Sequence, residues 1–171
     1  CMPILTFAAS WADNGSYDVS WYKKSQTEFQ ISTAKELAGM AYLVNNNYTS
    51  FEGKTVKLAA DIDLGEKYWE PIGMGNTKFE GTFDGDGHTV TVTADNPAMS
   101  YFGFFGCLED ATVKNLTVGG EIYCSEPYAF VGGITARARG NVNIENCVNM
   151  ATVSAYARGS AGIGGIVGGY D

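Results

Sequence analysis

A four-residue phrase, a glycine, two apolar residues and a second glycine, recurs in the second half of this 171-residue sequence. It reads Gly-Phe-Phe-Gly at 103–106, then Gly-Ile-Thr-Ala at 133–136 as a degenerate copy, and Gly-Ile-Val-Gly at 165–168. A second marker, Val-Lys-Asn-Leu at 113–116, returns as Ile-Glu-Asn-Cys at 144–147. A repeat of about 30 residues is typical of solenoids, whose units bury their apolar faces only by stacking.

Short strands and tight turns fill the sequence between these markers. The segments 55–58 and 89–93 alternate apolar and polar residues with period two, as half-buried strands do. Both follow a glycine, in Gly-Lys-Thr-Val at 53–56 and Gly-His-Thr-Val at 87–90, which extends the repeat toward the N-terminus with a spacing of 34. We therefore predict an all-β domain, a parallel β-solenoid of about four coils over residues 48–171.

One amphipathic helix is predicted ahead of the strands, within residues 31–47. Thr33 and Glu36 have the spacing of a capping box. The apolar stripe that follows consists of Leu37, Met40, Ala41 and Val44. We expect this helix to cover the open N-terminal end of the stack. Residues 1–30, rich in aromatic residues and turn formers, are predicted to form an irregular lead-in over the first coil.

Composition excludes two classes of partner. The net charge of −8 argues against nucleic acid, because phosphate binding requires a basic surface. No apolar run approaches the roughly 18 residues that a transmembrane helix needs, so no membrane-spanning segment is predicted.

The four cysteines lie at positions 1, 107, 124 and 147. With a single histidine and no Cys-x-x-Cys pair, a zinc site of the common types is not predicted. The even number permits disulfides, but the repeat places Cys147 where Leu116 lies, which favours a small buried side chain. Cys1 has two interpretations: the acylated first residue of a mature bacterial lipoprotein, or an incidental start of the sequence.

Taken together, the repeats and the blocks before them resemble the GLUG-repeat proteins of bacterial cell surfaces. The resemblance rests on the Gly-apolar-apolar-Gly phrase, the asparagine that follows it, and upstream blocks at 29–38, 51–56, 61–64, 69–73 and 79–90. It covers about residues 29–168. It implies a right-handed β-helix, a location at the extracellular face of a bacterium, and an adhesive or scaffolding role. Thr135 and Ala136 depart from the pattern and put the turn of that coil in question.

Carboxylates in the glycine-rich loop at 84–88 are candidates for a metal site. Asp84 and Asp86 could provide oxygen ligands for calcium. Asp and Gly are also the residues of tight turns, and we favour that interpretation. No cofactor and no catalytic residue are predicted. His88, the only histidine, has the same setting as Lys54 of the earlier Gly-Lys-Thr-Val phrase, which indicates a solvated strand start.

Aromatic residues of the lead-in are candidates for ligand binding. Trp11, Trp21 and Tyr22 could stack on sugar rings, although packing is the favoured role. Trp69, inside one of the blocks of the resemblance, is predicted to be a structural plug.

The function predicted from these features is that of an extracellular bacterial repeat module for adhesion, display or surface assembly. The last phrase begins a coil that the sequence does not complete, so its edge is predicted to bind other copies of the chain or neighbouring coils of a longer one. The residues of this predicted assembly edge are Gly165, Ile166, Val167, Gly168 and Tyr170. Host or bacterial surface glycans or proteins are further predicted partners. The alternative function is a carbohydrate-active β-helix domain that binds or cuts glycans.

Overall fold

The computed structural model describes residues 9–95, 100–124, 126, 128–156 and 162–170. Cys1 lies outside them. The helix and strands in this part of the chain are, in order, β1 (Glu28–Ile31), α1 (Ala34–Asn45), β2 (Thr55–Leu58), β3 (Ile62–Asp63), β4 (Thr82–Asp84), β5 (Thr89–Asp95), β6 (Tyr101–Phe102), β7 (Phe105–Glu109), β8 (Thr112–Lys114), β9 (Thr117–Cys124), β10 (Phe130–Gly132), β11 (Thr135–Arg139), β12 (Asn143–Glu145), β13 (Val148–Asn149), β14 (Thr152–Ala155), β15 (Gly162–Gly164) and β16 (Val167–Tyr170).

The strands form four parallel sheets, because each coil of the chain lays its strands beside those of the previous coil. The first sheet has the order β1-β2-β4-β8-β12, and the second β3-β5-β9-β13, with β14 also paired to β9. The third sheet is β6-β10-β15 and the fourth β7-β11-β16. Along the first sheet, Thr55 pairs with Thr82, Thr82 with Thr112, and Thr112 with Asn143. The prediction of an all-β, right-handed parallel β-helix of about four coils with one helix is confirmed.

The core consists of apolar side chains stacked at the same position of successive coils. In the first sheet, this inner ladder is Phe29, Val56, Phe83, Val113 and Ile144. The first four are buried, whereas Ile144 is only partly buried. Covering one such side chain is worth about 1.5–3 kcal/mol, so each coil is stabilised mainly by the coils that flank it.

Helix α1 begins and ends as its sequence predicts. The Glu36 backbone N–H donates to Thr33 Oγ1 over 3.2 Å, and the Thr33 N–H donates to Glu36 Oε2 over 3.0 Å, which confirms the capping box. All four residues of the predicted apolar stripe are buried. At the other end, the Asn45 side chain bonds the Pro71 carbonyl and the Gly73 N–H, which fixes the helix to the coil beneath.

The lead-in packs across the outer side of α1. The Asp18 N–H donates to the Lys35 carbonyl over 2.9 Å. A Cβ atom at Gly39 would lie 1.8 Å from the Asp18 carbonyl oxygen, so only glycine allows the two backbones to approach this closely. Nearer the N-terminus, Ser10 forms a parallel β-bridge with Tyr68, which adds main-chain pairing at the start of the stack. Helix and lead-in together close the N-terminal end of the core.

The Gly-apolar-apolar-Gly phrase forms the turn between the third and fourth sheets. In the first copy, Phe104 and Phe105 are both buried, and Trp69 Nε1 donates to the Phe104 carbonyl over 2.9 Å. This contact confirms Trp69 as a structural plug. In the degenerate copy, Thr135 occupies the position of Phe105 and is fully buried, with its hydroxyl donating to the Arg137 carbonyl over 2.9 Å. Because its hydroxyl is paired, the polar residue is accommodated there.

The 34-residue spacing proposed for the first half is wrong. Thr55 pairs with Thr82 in the first sheet, whereas Thr89 pairs with Thr117 in the second. The two glycine-introduced strands therefore lie on different faces of the solenoid. Period-two alternation identifies a half-buried strand but carries no information about which sheet the strand joins.

Candidate functional site

The last coil, built from strands β12 to β16, is named here the C-terminal edge. Each of the four sheets ends in one of its strands. In the part of the chain that the structure describes, these strands have a neighbour on one side only. Their other side presents unpaired N–H and C=O groups, which is a template for pairing with another strand.

Apolar side chains of the C-terminal edge are uncovered. Ile163 is 53% exposed, whereas Val131, its partner one coil earlier, is fully buried. Val148 is 51% exposed and pairs with Thr117, which faces outward. Cys147, Val153 and Ile166 contact the core but stay partly exposed. The large exposed apolar side chains of this edge are Val148, Met150, Tyr156, Ile163 and Tyr170. An exposed apolar cross-section of this kind marks an interaction surface.

The edge also lacks the devices by which proteins protect exposed strands. Such strands usually carry charged residues or proline. The described residues of the last coil, 142–156 and 162–170, contain no proline and one charged residue, Glu145. The N-terminal end of the stack, by contrast, lies beneath α1 and the lead-in.

A ladder of side-chain amides runs along the corner between the first and second sheets and ends at this edge. Asn146 Nδ2 donates to Asn115 Oδ1 over 3.3 Å, and Asn115 Nδ2 donates to Asp84 Oδ1 over 3.0 Å. Both asparagines have positive φ, 54° at Asn115 and 51° at Asn146. Within the described residues, Asn146 Oδ1 accepts no side-chain hydrogen bond. It is the position at which the amide of a further coil would continue the ladder.

The first rung of this ladder is the predicted calcium candidate Asp84. Partial burial raises the pKa of its carboxyl, but hydrogen bonds from the Asn115 amide and the Asp86 N–H, with the Lys114 charge, outweigh burial and leave the pKa lowered. Asp86 Oδ1 lies 3.0 Å from Lys57 Nζ. The bond from the Asp86 N–H to Asp84 is that of a turn, whereas the contacts with Asn115 and Lys57 join neighbouring coils. In the described ranges, no group of three or more acidic, His or Cys side chains is arranged to hold a metal ion.

The residues predicted for assembly lie at the C-terminal edge. Gly165 and Ile166 form the turn between β15 and β16, and Val167, Gly168 and Tyr170 belong to β16. The Tyr170 hydroxyl donates to the Gly140 carbonyl over 3.0 Å.

Sequence reasoning missed the other exposed members of this edge, Val148, Met150 and Ile163. The signal was present in the repeat. Counting back one coil from Ile163 reaches Val131, its fully buried partner in β10.

The aromatic residues predicted to bind ligands lie at the opposite end of the molecule. Trp11 is 6% exposed, and its Nε1 donates to the Leu64 carbonyl over 2.8 Å. Trp21 and Tyr22 both contact the ring of Phe29, with ring centroids 5.4 Å apart in each case. In this arrangement, the rings pack over the first coil.

Cys107, Cys124 and Cys147 form no disulfide. Cys107 and Cys124 are buried, and Cys147 is half-buried near Leu116. Burial raises the pKa of the Cys107 and Cys147 thiols, which keeps both protonated at neutral pH.

Comparison with known proteins gives one informative similarity. The chain is 31% identical over 126 residues to a protein of Evansella cellulosilytica named "Putative Gly-rich membrane protein". The match covers 70% of this chain but only 15% of that protein. No family model and no solved structure matches. Within the described residues, no helix is long and apolar enough to cross a bilayer. By fold, the chain is a β-solenoid repeat module similar to a short stretch of a much longer bacterial protein.

Proposed function

We propose that this chain is a building module of an extracellular bacterial surface structure, which assembles by adding β-coils at the C-terminal edge. The observation that carries the proposal is that all four sheets end at this edge with a single charged residue among its described positions. The surface location is supported by the resemblance to GLUG-repeat proteins and by the similarity to a protein whose name describes it as a membrane protein.

The partner that fits this edge best is another coil of the same kind. Its strands would pair in parallel with β12, β14, β15 and β16, at the spacing of about 4.8 Å that neighbouring strands have. Its inward apolar residues would cover Ile144, Val153 and Ile166 as those of earlier coils cover one another. A corner asparagine would donate to Asn146 Oδ1. A peptide whose strands are spaced differently along its sequence could pair with the edge strand of one sheet, but not with those of all four sheets at once.

Growth through this edge proceeds at one end of the module only. Helix α1 and the lead-in cover the core at the other end, so the described part of that end offers no apolar cross-section. Two copies that meet through their C-terminal edges would form a closed, two-fold symmetric dimer whose facing strands run antiparallel, so a second copy would cover the edge without continuing the parallel coils. A longer assembly requires coils supplied by a neighbouring stretch of chain.

Sedimentation velocity over a range of concentrations tests whether a second copy covers the edge. We expect concentration-dependent association that the double variant Val148→Lys, Ile163→Lys abolishes, because charges at exposed strand positions block edge pairing. A matched control is Tyr48→Lys, which changes an equally exposed residue at the far end of the helix. If the unmodified chain remains strictly monomeric, or the double variant associates equally well, self-association through this edge is wrong.

Protease treatment of intact cells tests the location. Cells that produce the chain should lose it to added protease without lysis. Protection until the cells are broken would contradict a surface location.

A further inference from the structure

The outer face of the second sheet carries an open groove, to which β14 of the C-terminal edge contributes Thr152 and Ser154. Its volume is about 430 Å³, within the range typical of small-molecule sites. The side chains that line it from the outer face are Tyr68, Thr93, Glu121, Tyr123, Thr152 and Ser154. They come from successive coils, so the solenoid itself builds the site.

The register of the sheet sets these side chains in two columns. Thr93 pairs with Glu121, and Glu121 pairs with Thr152, which gives one column with a rung about every 4.8 Å. Tyr123 pairs with Ser154 in the second column. Tyr68 lies one coil earlier, next to Thr93 through the hydrogen bond from the Trp69 N–H to the Thr93 carbonyl.

The strand that contributes Glu121 and Tyr123 is held in a bend. Gly120 has φ of 99°, and a Cβ atom there would lie 2.0 Å from the Val92 carbonyl oxygen. Only glycine tolerates both conditions. Glu121 follows this bend directly, so its outward position is set by the backbone.

The polar groups of the groove have no internal partner. Within the described residues, the side chains of Thr93, Glu121, Thr152 and Ser154 make no hydrogen bond and no ion pair, and neither tyrosine ring contacts another aromatic ring. Asp84 and Lys57, on the first sheet, are both paired. The groove therefore offers hydroxyl donors and acceptors, one carboxylate and two amphipathic rings to a ligand.

From these two columns of side chains we propose that the groove binds a neutral glycan lying along the solenoid axis. Sugar hydroxyls bond the column of Thr93, Glu121 and Thr152, and the apolar faces of sugar rings contact Tyr68 and Tyr123. Anionic ligands are disfavoured because the one charged residue of the described lining is Glu121 and the chain carries a net charge of −8. A peptide strand cannot pair here, since the main chain of this face is already bonded within the sheet.

The role proposed for the groove is binding alone. Glycoside hydrolysis generally uses two carboxyl groups on either side of the bond, and the described lining contains one. Strand β14 contributes to both sites. The groove uses its outward side chains, whereas the assembly proposed above uses its unpaired main-chain groups and the inward Val153.

Isothermal titration of the full chain with cellohexaose, xylohexaose, mannohexaose and hexagalacturonate tests the proposal. We expect at least one of the three neutral hexasaccharides to bind. Tyr123→Ala should lower its affinity about tenfold, which corresponds to the loss of about 1.4 kcal/mol of ring contact. Tyr123→Phe should retain most of the affinity, and Thr152→Arg, which fills the groove from an exposed position, should abolish binding. Tyr48→Ala, an exposed tyrosine outside the groove, is the matched control.

Three results would overturn the proposal: no binding of any neutral hexasaccharide, binding of hexagalacturonate alone, or binding that Thr152→Arg leaves unchanged. Thermal unfolding of each variant separates a lost site from a lost fold. Because Thr152 and Tyr123 lie on the outer face, these variants should unfold close to the parent chain.

Discussion

Asn115 and Asn146 adopt a backbone conformation that most residues avoid. Their positive φ angles place them in the left-handed region, which asparagine and glycine enter at the lowest cost. The amide side chain then has a second role, because it bonds the residue at the same corner of the previous coil. One residue type thus satisfies both the turn and the stacking, which explains why the sequence repeats asparagine there.

Replacing Asn115 separates these two contributions. Asn115→Ala should lower the free energy of unfolding by about 2 to 3 kcal/mol. Alanine is less stable than asparagine in the left-handed backbone conformation, and the substitution removes two hydrogen bonds of the ladder. Asn115→Gly removes the same bonds while easing the backbone, so its loss should be nearer to about 1 kcal/mol. Urea unfolding of both variants measures the difference. Equal losses in the two variants would show that the backbone conformation contributes nothing.

Helix α1 is the element that the repeat alone does not predict, and its own local signals predict it well. The capping box and the apolar stripe lie within a few residues of one another, and each is present in the structure. The strands were harder to assign. Their alternation identified them correctly, but each strand finds its partner a whole coil away, and the 34-residue spacing joined strands of different sheets.

The cap of α1 offers a direct measure of how far the helix stabilises the stack. Thr33→Ala should cost about 1 kcal/mol, because the Glu36 N–H loses its acceptor at the helix start. Thr33→Ser keeps the hydroxyl and should behave like the parent chain. Urea unfolding compares the two variants. A loss in Thr33→Ser as large as in Thr33→Ala would mean that the methyl group, and not the cap, carries the effect.

At the scale of the whole molecule, the two ends of the solenoid differ. A helix and an aromatic lead-in cover the first coil, while the last coil exposes strand edges and apolar side chains. The residues from Gly165 to Tyr170, which the sequence predicts for assembly, lie in this last coil. The repeat phrase could not predict the groove on the second sheet, because that site depends on the lateral register of Glu121 with Thr93 and Thr152, which only pairing reveals.

An added coil tests whether the C-terminal edge accepts a β-coil of its own kind. Because Thr112 pairs with Asn143 of the next coil, a copy of residues 110–140 placed directly after Asp171 continues the register. A tail of the same composition in scrambled order is the control.

The deciding measurement is amide hydrogen exchange in β12, β14, β15 and β16 of these two extended chains. We expect markedly slower exchange across all four strands when the tail carries the repeat, because the outer N–H groups become paired and the apolar residues become covered. Equal exchange in the repeat-bearing and scrambled chains would contradict this expectation.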